Sequence, residues 1–337
     1  MLKFDEKKKV ESVRGALALR PAIEKVVDEI LEVGFDRIYF MGIGGTWASS
    51  LQVETYLKAN SKLPVFSSNA AEYLTTGDKN LTEKTVMIFS SVTGSTVEMV
   101  EAVKKVKAVG ARVFAFIDNQ KAELAKLCDY VISYPENEQL KFFMVANYLM
   151  HKSGEFPEYE RYNQEMEAHL PQALVEVEKS ADAFAAQFAK EKYEYLKAHP
   201  DMPHYFIGSG TQWGATYSYA MCYWDEQMWV RSKSIHSAEF FHGMLEIIEA
   251  ETPVTLFLNE DEQRPLGERV ARFLPQVCKN YTIIDSKDYP LEGISPEFRG
   301  SVSHLVIHAV NNRVDVHMEH ELRHPLQIRR YYRQWDY

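Results

Sequence analysis

The sequence has no long apolar run and few cysteines. Among its 337 residues, no apolar stretch approaches the ~18 residues that span a bilayer, and the first segment, MLKFDEKKKVES, has no apolar signal core. The three cysteines, Cys128, Cys222 and Cys278, are odd in number and far apart, which excludes a disulfide framework and a C-x-x-C array. We therefore expect a cytoplasmic protein that has no membrane partner and whose cysteines are reduced and serve packing.

Positive charge is also scarce. The chain has 38 Lys and Arg residues and 48 Asp and Glu residues, so its net charge at pH 7 is -10, which opposes binding to a polyanion. The one dense basic cluster is RRYYR at residues 329–333, and its interleaved aromatic residues raise RNA binding as an alternative. Because a short charged tail more often packs on its own protein, we expect no nucleic-acid partner.

A repeated turn is present in the sequence. YFMGIGGTWAS at residues 39–49 and YFIGSGTQWGA at residues 205–215 share a tyrosine, a phenylalanine, two glycines and a tryptophan without a gap. Their offset of 166 residues is about half of the chain, which favours duplication of one domain over a chance match of two similar turns.

Strand and helix patterns follow both copies of the turn. Short apolar runs such as TVMIFS and TPVTLFLN alternate with amphipathic patterns, which predicts parallel sheets covered by helices on both faces. The predicted fold class is α/β, with two tandem three-layer αβα domains related by internal duplication. The predicted parts are a first domain with an N-terminal helix at 1–155, a helical linker at 156–200, and a second domain with a C-terminal tail at 201–337. In the second domain, one helix is predicted from Trp213 to about Trp229.

The repeated turn carries no nucleotide fingerprint. The dinucleotide pattern G-x-G-x-x-G needs a third glycine, and this position is Trp47 in the first copy and Trp213 in the second. A P-loop is also excluded, because no G-x-x-x-x-G-K-[ST] occurs. The turn therefore predicts a site for a smaller anion at the carboxyl end of the strand, where backbone N–H groups and the helix dipole meet.

A hydroxyl-rich loop follows a second strand of the first copy. In SSVTGSTVEMV, four hydroxyl residues surround Gly94, namely Ser91, Thr93, Ser95 and Thr96. Capping of the next helix is the ordinary explanation for such residues. Four hydroxyls in six residues exceed what one cap needs, so we favour a phosphate monoester bound by hydroxyls and free amides.

Carboxylates and imidazoles concentrate in residues 223–249, which contain Asp225, Glu226, His236, Glu239 and His242. This pairing suits enolisation of a sugar, which needs one base at carbon and one group that moves protons on oxygen. The two histidines and Glu239 would share one face of a helix, but no H-E-x-x-H occurs and we predict neither a metal nor a cofactor. For His236 a buried hydrogen bond is the simpler interpretation, and Asp225 is expected to be exposed.

The segments GIGGTWAS, SSVTGST and HSAEFFHGMLEI together resemble the sugar isomerase (SIS) domain family, in which two tandem domains bind phosphorylated sugars. The resemblance spans essentially the whole chain. It implies that the sugar phosphate is bound by Gly45, Thr46, Ser91, Thr93 and Thr96. The second copy has no comparable hydroxyl loop, so one phosphate site per chain is expected.

The interval between Glu226 and His242 is similar to the one between the catalytic glutamate and histidine in the isomerase domain of glucosamine-6-phosphate synthase, so these two residues are the implied catalytic pair. Two departures from that domain are Val92, where it has a polar residue, and Met244, where proline is common. The synthase's catalytic lysine has no counterpart, because the last lysine is Lys287. No glutamine-hydrolysing domain precedes the first repeat, so transfer of ammonia from glutamine is not expected.

Within the family, IHSAEFFHGM and the tail HPLQIRRYYRQWDY are similar to bacterial fructosamine-6-phosphate deglycases, with Asp336 in place of a usual glutamate. The resemblance implies that the chain cleaves a sugar-amine 6-phosphate into a hexose 6-phosphate and an amino acid, as a homodimer or higher oligomer. Alternatives are a phosphosugar aldose-ketose isomerase and a non-catalytic phosphosugar sensor. Further candidate contacts to the substrate or the tail are Glu72, His236, Glu239, Arg329 and Arg330.

Overall fold

The computed structural model describes residues 1–332, 334 and 335 and divides the chain into two compact units. One unit comprises Lys8–Pro171, and the other comprises Gln172–Tyr337 together with Met1–Lys7. The division falls inside one 40-residue helix, Tyr159–Ala198, rather than at either end of it. The domain limits at 155 and 200 stay a prediction.

A five-stranded parallel sheet forms the centre of the unit that comprises Lys8–Pro171, with the order β2-β1-β3-β4-β5. Its strands are β1 Arg37–Gly42, β2 Val65–Asn69, β3 Thr85–Ser91, β4 Arg112–Ile117 and β5 Tyr130–Ile132. Its helices are α1 Glu6–Leu17, α2 Arg20–Val33, α3 Gly45–Asn60, α4 Ala70–Thr76, α5 Val97–Ala108, α6 Glu123–Leu127 and α7 Glu138–Lys152, followed by α8 Tyr159–Ala198.

The central strands of this sheet are mainly apolar because both of their faces are covered. All seven residues of β3 are buried, and a core of aliphatic and aromatic side chains fills the space between the sheet and α5. Because β1 lies between β2 and β3, the chain turns to opposite sides of the sheet after β1 and after β3. This switch point is where α/β sheets leave a crevice at the carboxyl ends of their strands.

A four-stranded parallel sheet forms the centre of the other unit, with the order β7-β6-β8-β9. Its strands are β6 His204–Gly208, β7 Ser232–His236, β8 Val254–Leu258 and β9 Tyr281–Asp285. Its helices are α9 Thr211–Ser218, a π-helix Tyr219–Met228, α10 Arg264–Val277 and α11 Pro296–Leu322, with short 3-10 helices Phe240–His242, Met244–Ile247 and Ser286–Asp288. The first three strands have the same spatial order as in the other sheet, which places a second switch point between β6 and β8.

The first residues of the chain pack on α11. Arg313 donates to the carbonyl oxygen of Leu2 at 2.8 Å, and Lys3 pairs with Glu319 at 2.7 Å. These contacts explain why Met1–Lys7 belongs to the same unit as the C-terminal half of the chain.

The predicted fold class is confirmed, since two units with parallel sheets follow each other along the chain and their repeated turns share one backbone conformation. Gly44 and Gly210 have φ values of 60° and 61° and precede α3 and α9. The helix predicted from Trp213 to about Trp229 differs in kind, because α9 ends at Ser218 and a ten-residue π-helix continues to Met228. Within the described residues, no helix is long and apolar enough to cross a membrane.

Candidate functional site

The turn after β1 leaves backbone amides at the beginning of α3. A Cβ at Gly42 would lie 2.4 Å from the backbone nitrogen of Trp47, so only glycine allows this close approach. The Thr46 hydroxyl accepts from the Ile43 amide and donates to the Ile43 carbonyl, both at 3.0 Å. In the part of the chain that the structure describes, no side chain accepts from the amides of Gly44 or Gly45, which leaves these donors for a ligand.

The hydroxyl loop after β3 is folded by its own side chains. Ser91 is buried and its oxygen accepts from the Gly94 amide at 3.0 Å, while the Thr93 oxygen accepts from the Ser95 amide at 3.4 Å. Each of these hydroxyls accepts from an amide and so retains a proton that it can donate to an anion. Thr96 precedes α5 but makes no side-chain capping bond, so capping does not explain this hydroxyl.

Sheet order brings the two turns together. β1 and β3 are parallel neighbours, with Phe40 opposite Ile88, so both strands end at the same edge of the sheet. The predicted phosphate ligands therefore lie at one switch point, namely Gly45, Thr46, Ser91, Thr93 and Thr96. Their role in binding phosphate stays a prediction.

A buried carboxyl group that no sequence pattern predicts lies beside this edge. The carboxyl of Glu138, the first residue of α7, is hydrogen-bonded by the hydroxyls of Ser49 and Ser90, and burial raises its pKa. Ser90 immediately precedes Ser91 of the hydroxyl loop, so Glu138 helps to fix the end of β3. Its partners are 89 and 48 residues away in sequence, and no local motif marks them.

The corresponding turn of the second copy is closed by the protein itself. Asp261 accepts from the amide of Thr211 at 2.6 Å and from its hydroxyl at 2.8 Å, and Gln263 accepts from the amide of Gly210 at 3.0 Å. A carboxylate at the N-terminus of α9 thus takes the position that an external anion would need. This gives a physical reason for the expected single phosphate site per chain.

Glu226 projects from the π-helix in the unit of the second sheet. Its oxygen accepts from Nε of Arg329 at 2.7 Å, and its side chain is 34% exposed. The π-helix is anchored by the fully buried Trp224. It ends at Met228, and the next residue, Trp229, has a left-handed backbone with φ 58°. π-helices are uncommon and are frequent at functional sites.

Glu226 lies on the wall of a cavity of about 770 Å³. The other charged and aromatic residues on this wall are Asp225, Trp229, Arg231, Arg329, Arg330, Tyr331 and Tyr332. As expected, Asp225 is exposed, but its carboxylate also accepts from the Ser232 amide at 2.8 Å and from the Ser232 hydroxyl at 3.0 Å. Although the residue as a whole is exposed, partial burial of its carboxylate raises the pKa of Asp225, and the hydrogen bonds from Ser232 act in the opposite direction.

His236 and His242 differ in their surroundings. His236 ends β7, its Nδ1 accepts from the Ala238 amide at 3.1 Å, and its ring packs on Trp213 at 5.2 Å. Burial lowers the pKa of His236, in keeping with the simpler interpretation of this residue as a buried hydrogen-bonding group. His242 ends a short 3-10 helix and is exposed, and its imidazole makes no hydrogen bond within the described residues.

The histidines do not share a helical face with Glu239, because a strand ends at His236 and Glu239 lies in the following turn. Within residues 1–332, 334 and 335, no group of three His, Cys, Asp or Glu side chains could hold a metal ion. Glu239 is exposed, and Met244 is buried at the beginning of its own short helix. Cys128, Cys222 and Cys278 form no disulfide.

The described residues that line this cavity do not include Glu72, His236, Glu239 or His242. Glu72 is exposed in the first turn of α4, beside the carboxyl end of β2. Asp336, at the end of the tail, lies outside the described residues.

Part of the chain matches a known domain family, and most of the chain is similar to two named enzymes. Residues 34–151 match the model of the SIS domain. The fructosamine deglycase FrlB of Bacillus subtilis is 28% identical over 311 residues, which cover 88% of this chain and 91% of that protein. The fructoselysine 6-phosphate deglycase of Escherichia coli is 24% identical over 281 residues, which cover 82% and 80%.

A solved structure of a Bacillus subtilis protein described as a phosphosugar isomerase superposes with a TM-score of 0.83 at 27% identity, covering 90% of this chain and 93% of that one. This similarity extends over both α/β units, whereas the SIS model matches only the first sheet and its helices. Residues 34–151 are therefore similar to the SIS domain, and each of the two units of the chain contains a parallel sheet.

Proposed function

We propose that the protein is a deglycase that cleaves a sugar-amine 6-phosphate into a hexose 6-phosphate and a free amino acid. The observation that carries the proposal is Glu226, a carboxylate on the wall of a cavity of about 770 Å³, held on a π-helix and paired with Arg329. Relatives named as fructosamine and fructoselysine 6-phosphate deglycases support the substrate class.

The phosphate is proposed to bind at the switch point of the first sheet. There the amides of Gly44 and Gly45 and the hydroxyls of Ser91, Thr93 and Thr96 donate to its oxygens. Thr46 joins them if its hydroxyl proton turns away from the Ile43 carbonyl. Binding of the phosphate fixes the sugar, so that the remaining steps are proton transfers within one complex.

The chemistry proceeds by acid-base catalysis on carbon and oxygen. His242 assists opening of the sugar ring by moving a proton between ring and hydroxyl oxygens. Glu226 then removes a proton from the carbon that bears the amine, and the resulting enaminol is reprotonated on the neighbouring carbon to give an imine. Water adds to the imine carbon, and the carbon–nitrogen bond breaks to release the amino acid.

An aldose-ketose isomerase is the second candidate, since such an enzyme uses the same glutamate and differs in that no amine leaves. The similarity to a structure described as a phosphosugar isomerase favours this alternative. A homodimer or higher oligomer and a cytoplasmic location are also part of the proposal.

The test is turnover of defined substrates by the purified protein. The 6-phosphates of fructoselysine, fructose-asparagine and glucoselysine are incubated with the enzyme, and the released amino acid is quantified. We expect release from at least one of them. Fructose 6-phosphate and glucose 6-phosphate serve as isomerase substrates, and interconversion of these without release of any amino acid contradicts the deglycase.

Two variants test the catalytic pair. Glu226→Gln and His242→Ala are expected to lower kcat by about 100- to 10,000-fold, the range of general acid and base groups, with phosphosugar binding retained in calorimetry. Glu246→Gln, which changes an exposed glutamate on the same stretch, is the matched control. Unchanged turnover in either catalytic variant removes that residue from the mechanism.

A further inference from the structure

The C-terminal tail reaches the cavity that contains Glu226. α11 ends at Leu322, Arg323 adopts a left-handed backbone with φ 51°, and the chain then returns along the π-helix. Arg329 is held in place by Glu226 and by the carbonyl oxygens of Leu326 at 2.6 Å and Ile328 at 3.0 Å. Residues 324–329 of the tail are therefore held beside the candidate base by specific hydrogen bonds.

Arg330 carries a positive charge that is not paired with a carboxylate in the part of the chain that the structure describes. Its guanidinium lies over the ring of Trp229, 4.1 Å from the centroid, and Trp229 is itself packed against His324 at 4.2 Å. Within the described residues, no carboxylate pairs with Arg330, although the other two arginines of the cavity wall each have one. A planar guanidinium fixed on an aromatic face is suited to bind a carboxylate through two parallel hydrogen bonds.

Arg329 restrains the carboxylate of Glu226 by bonding to one of its two oxygens. This oxygen is not free to accept a proton from carbon while the bond is formed, and the bond also fixes the orientation of the other oxygen. Opening of the ion pair therefore makes both oxygens of Glu226 available for proton abstraction. A second carboxylate entering the cavity offers Arg329 an alternative partner.

We propose that Arg329 and Arg330 form the recognition site for a carboxylate on the leaving amine, and that this carboxylate draws Arg329 away from Glu226. The inference rests on the proposed function, because it assigns the substrate class as adducts of amino acids rather than of simple amines. Arg330 supplies the fixed binding position, and Arg329 couples occupancy of that position to release of the base.

The experiment compares two substrates that differ in one group. The first is the 6-phosphate of fructose linked to the side-chain amine of lysine, and the second is the same adduct of cadaverine, which is lysine without its carboxyl group. We expect the native enzyme to prefer the lysine adduct by about 10- to 100-fold in kcat/KM, the contribution of a charge-assisted hydrogen bond. The native enzyme cleaving both adducts equally well overturns the inference and leaves the deglycase intact.

Variants assign the preference to the tail. Arg330→Gln is expected to abolish most of the preference through a higher KM for the lysine adduct, with little change for the cadaverine adduct. Arg330→Lys keeps the charge but not the planar fork and is expected to restore only part of the preference. Arg272→Gln, an exposed arginine of α10, is the matched control and is expected to behave like the native enzyme.

Arg329→Gln separates recognition from release of the base. Without the ion pair, kcat for the cadaverine adduct is expected to rise several-fold while KM for the lysine adduct increases, so the two substrates converge. Full discrimination by both Arg329→Gln and Arg330→Gln contradicts the inference but not the proposed function. If the native enzyme cleaves no adduct at all, the proposed function fails and the inference fails with it.

Discussion

At the scale of single residues, Asp315 is a buried acid of the unit that comprises Gln172–Tyr337. It lies on α11 and accepts a hydrogen bond from the hydroxyl of Tyr219, the first residue of the π-helix, at 2.8 Å. Burial raises the pKa of Asp315 to about 8, although the bond from Tyr219 acts in the opposite direction. The folded protein therefore holds a proton here that the unfolded chain releases near pH 4.

Because the pKa of Asp315 is higher in the folded protein than in the unfolded chain, the free energy of unfolding falls as pH rises. The stability contributed by protonated Asp315 is fully present below the unfolded pKa near 4 and is lost as pH rises toward the folded pKa of about 8. Within that window, the free energy of unfolding falls by about 1.4 kcal/mol per pH unit through this group.

Asp315→Asn is expected to remove this dependence. The difference in unfolding free energy between the variant and the native protein should shift in favour of the variant as pH rises from about 5 to about 7. Denaturant unfolding at several pH values measures it. Tyr219→Phe is the control, because it removes the hydrogen bond but keeps the titrating carboxyl. Parallel curves for the native protein and Asp315→Asn would falsify the assignment.

At the scale of elements, the two copies of the repeated turn provide a matched pair. Gly44 and Gly210 share a backbone conformation with φ near 60° and negative ψ, which side chains rarely adopt. A Cβ at Gly44 would meet nothing within 4 Å. A Cβ at Gly210 would lie 2.3 Å from both carboxylate oxygens of Asp261.

We therefore expect unequal effects of one substitution. Gly44→Ala should cost about 1–3 kcal/mol of backbone strain and weaken phosphosugar binding, because it disturbs the amides before α3. Gly210→Ala should cost more, since it adds a clash with Asp261 to the same strain, and should leave phosphosugar binding unchanged in the folded fraction. Thermal unfolding and calorimetry measure the two effects.

Gly34→Ala is the control that adds backbone strain away from the proposed phosphate site. Gly34 has φ 80° and open space around its Cβ position. Equal loss of phosphosugar binding in Gly44→Ala and Gly34→Ala contradicts a specific role of the turn after β1.

The same elements indicate how far the sequence predicts structure. The strand expected at residues 85–90 is Thr85–Ser91, because an apolar run this short, with β-branched and aromatic residues, favours a buried strand over a helix. The π-helix could not be predicted. Its apolar spacing also fits an α-helix, and contacts from distant elements, such as the bond between Tyr219 and Asp315, hold it.

The candidate site residues also fall into those that a local sequence pattern predicts and those that it does not. The hydroxyl loop is continuous in sequence, and so it could be found before the structure. The ion pair between Glu226 and Arg329 joins residues 103 positions apart, and closure of the second turn by Asp261 joins residues 50 positions apart. Neither contact produces a local sequence pattern, because each one forms only when folding brings distant segments of the chain together.

At the scale of the whole molecule, duplication has been followed by divergence of the two copies. The first copy keeps an open helix N-terminus and a hydroxyl loop, whereas the second fills its own turn with Asp261 and carries Glu226 on a π-helix. In the proposed function, the first copy binds phosphate and the second supplies the acid-base groups.

His242 bears on how many chains form one active site. Its imidazole is exposed and makes no hydrogen bond within the described residues, whereas Glu226 of the same unit lies on a cavity wall with Arg329. In the proposed homodimer, an exposed imidazole is able to act across the interface between subunits. We expect that each active site combines Glu226 of one subunit with His242 of another.

Mixing two inactive variants tests this expectation. Glu226→Gln and His242→Ala are unfolded together, refolded as a mixture and assayed for release of amino acid. Random pairing makes about half of the dimers mixed, and one of the two sites in each mixed dimer has both native groups, so roughly a quarter of native activity should return. If both groups act within one chain, no pairing creates an intact site and activity stays at the level of the separate variants. Each variant refolded alone is the control, and sedimentation measures the oligomer in every sample.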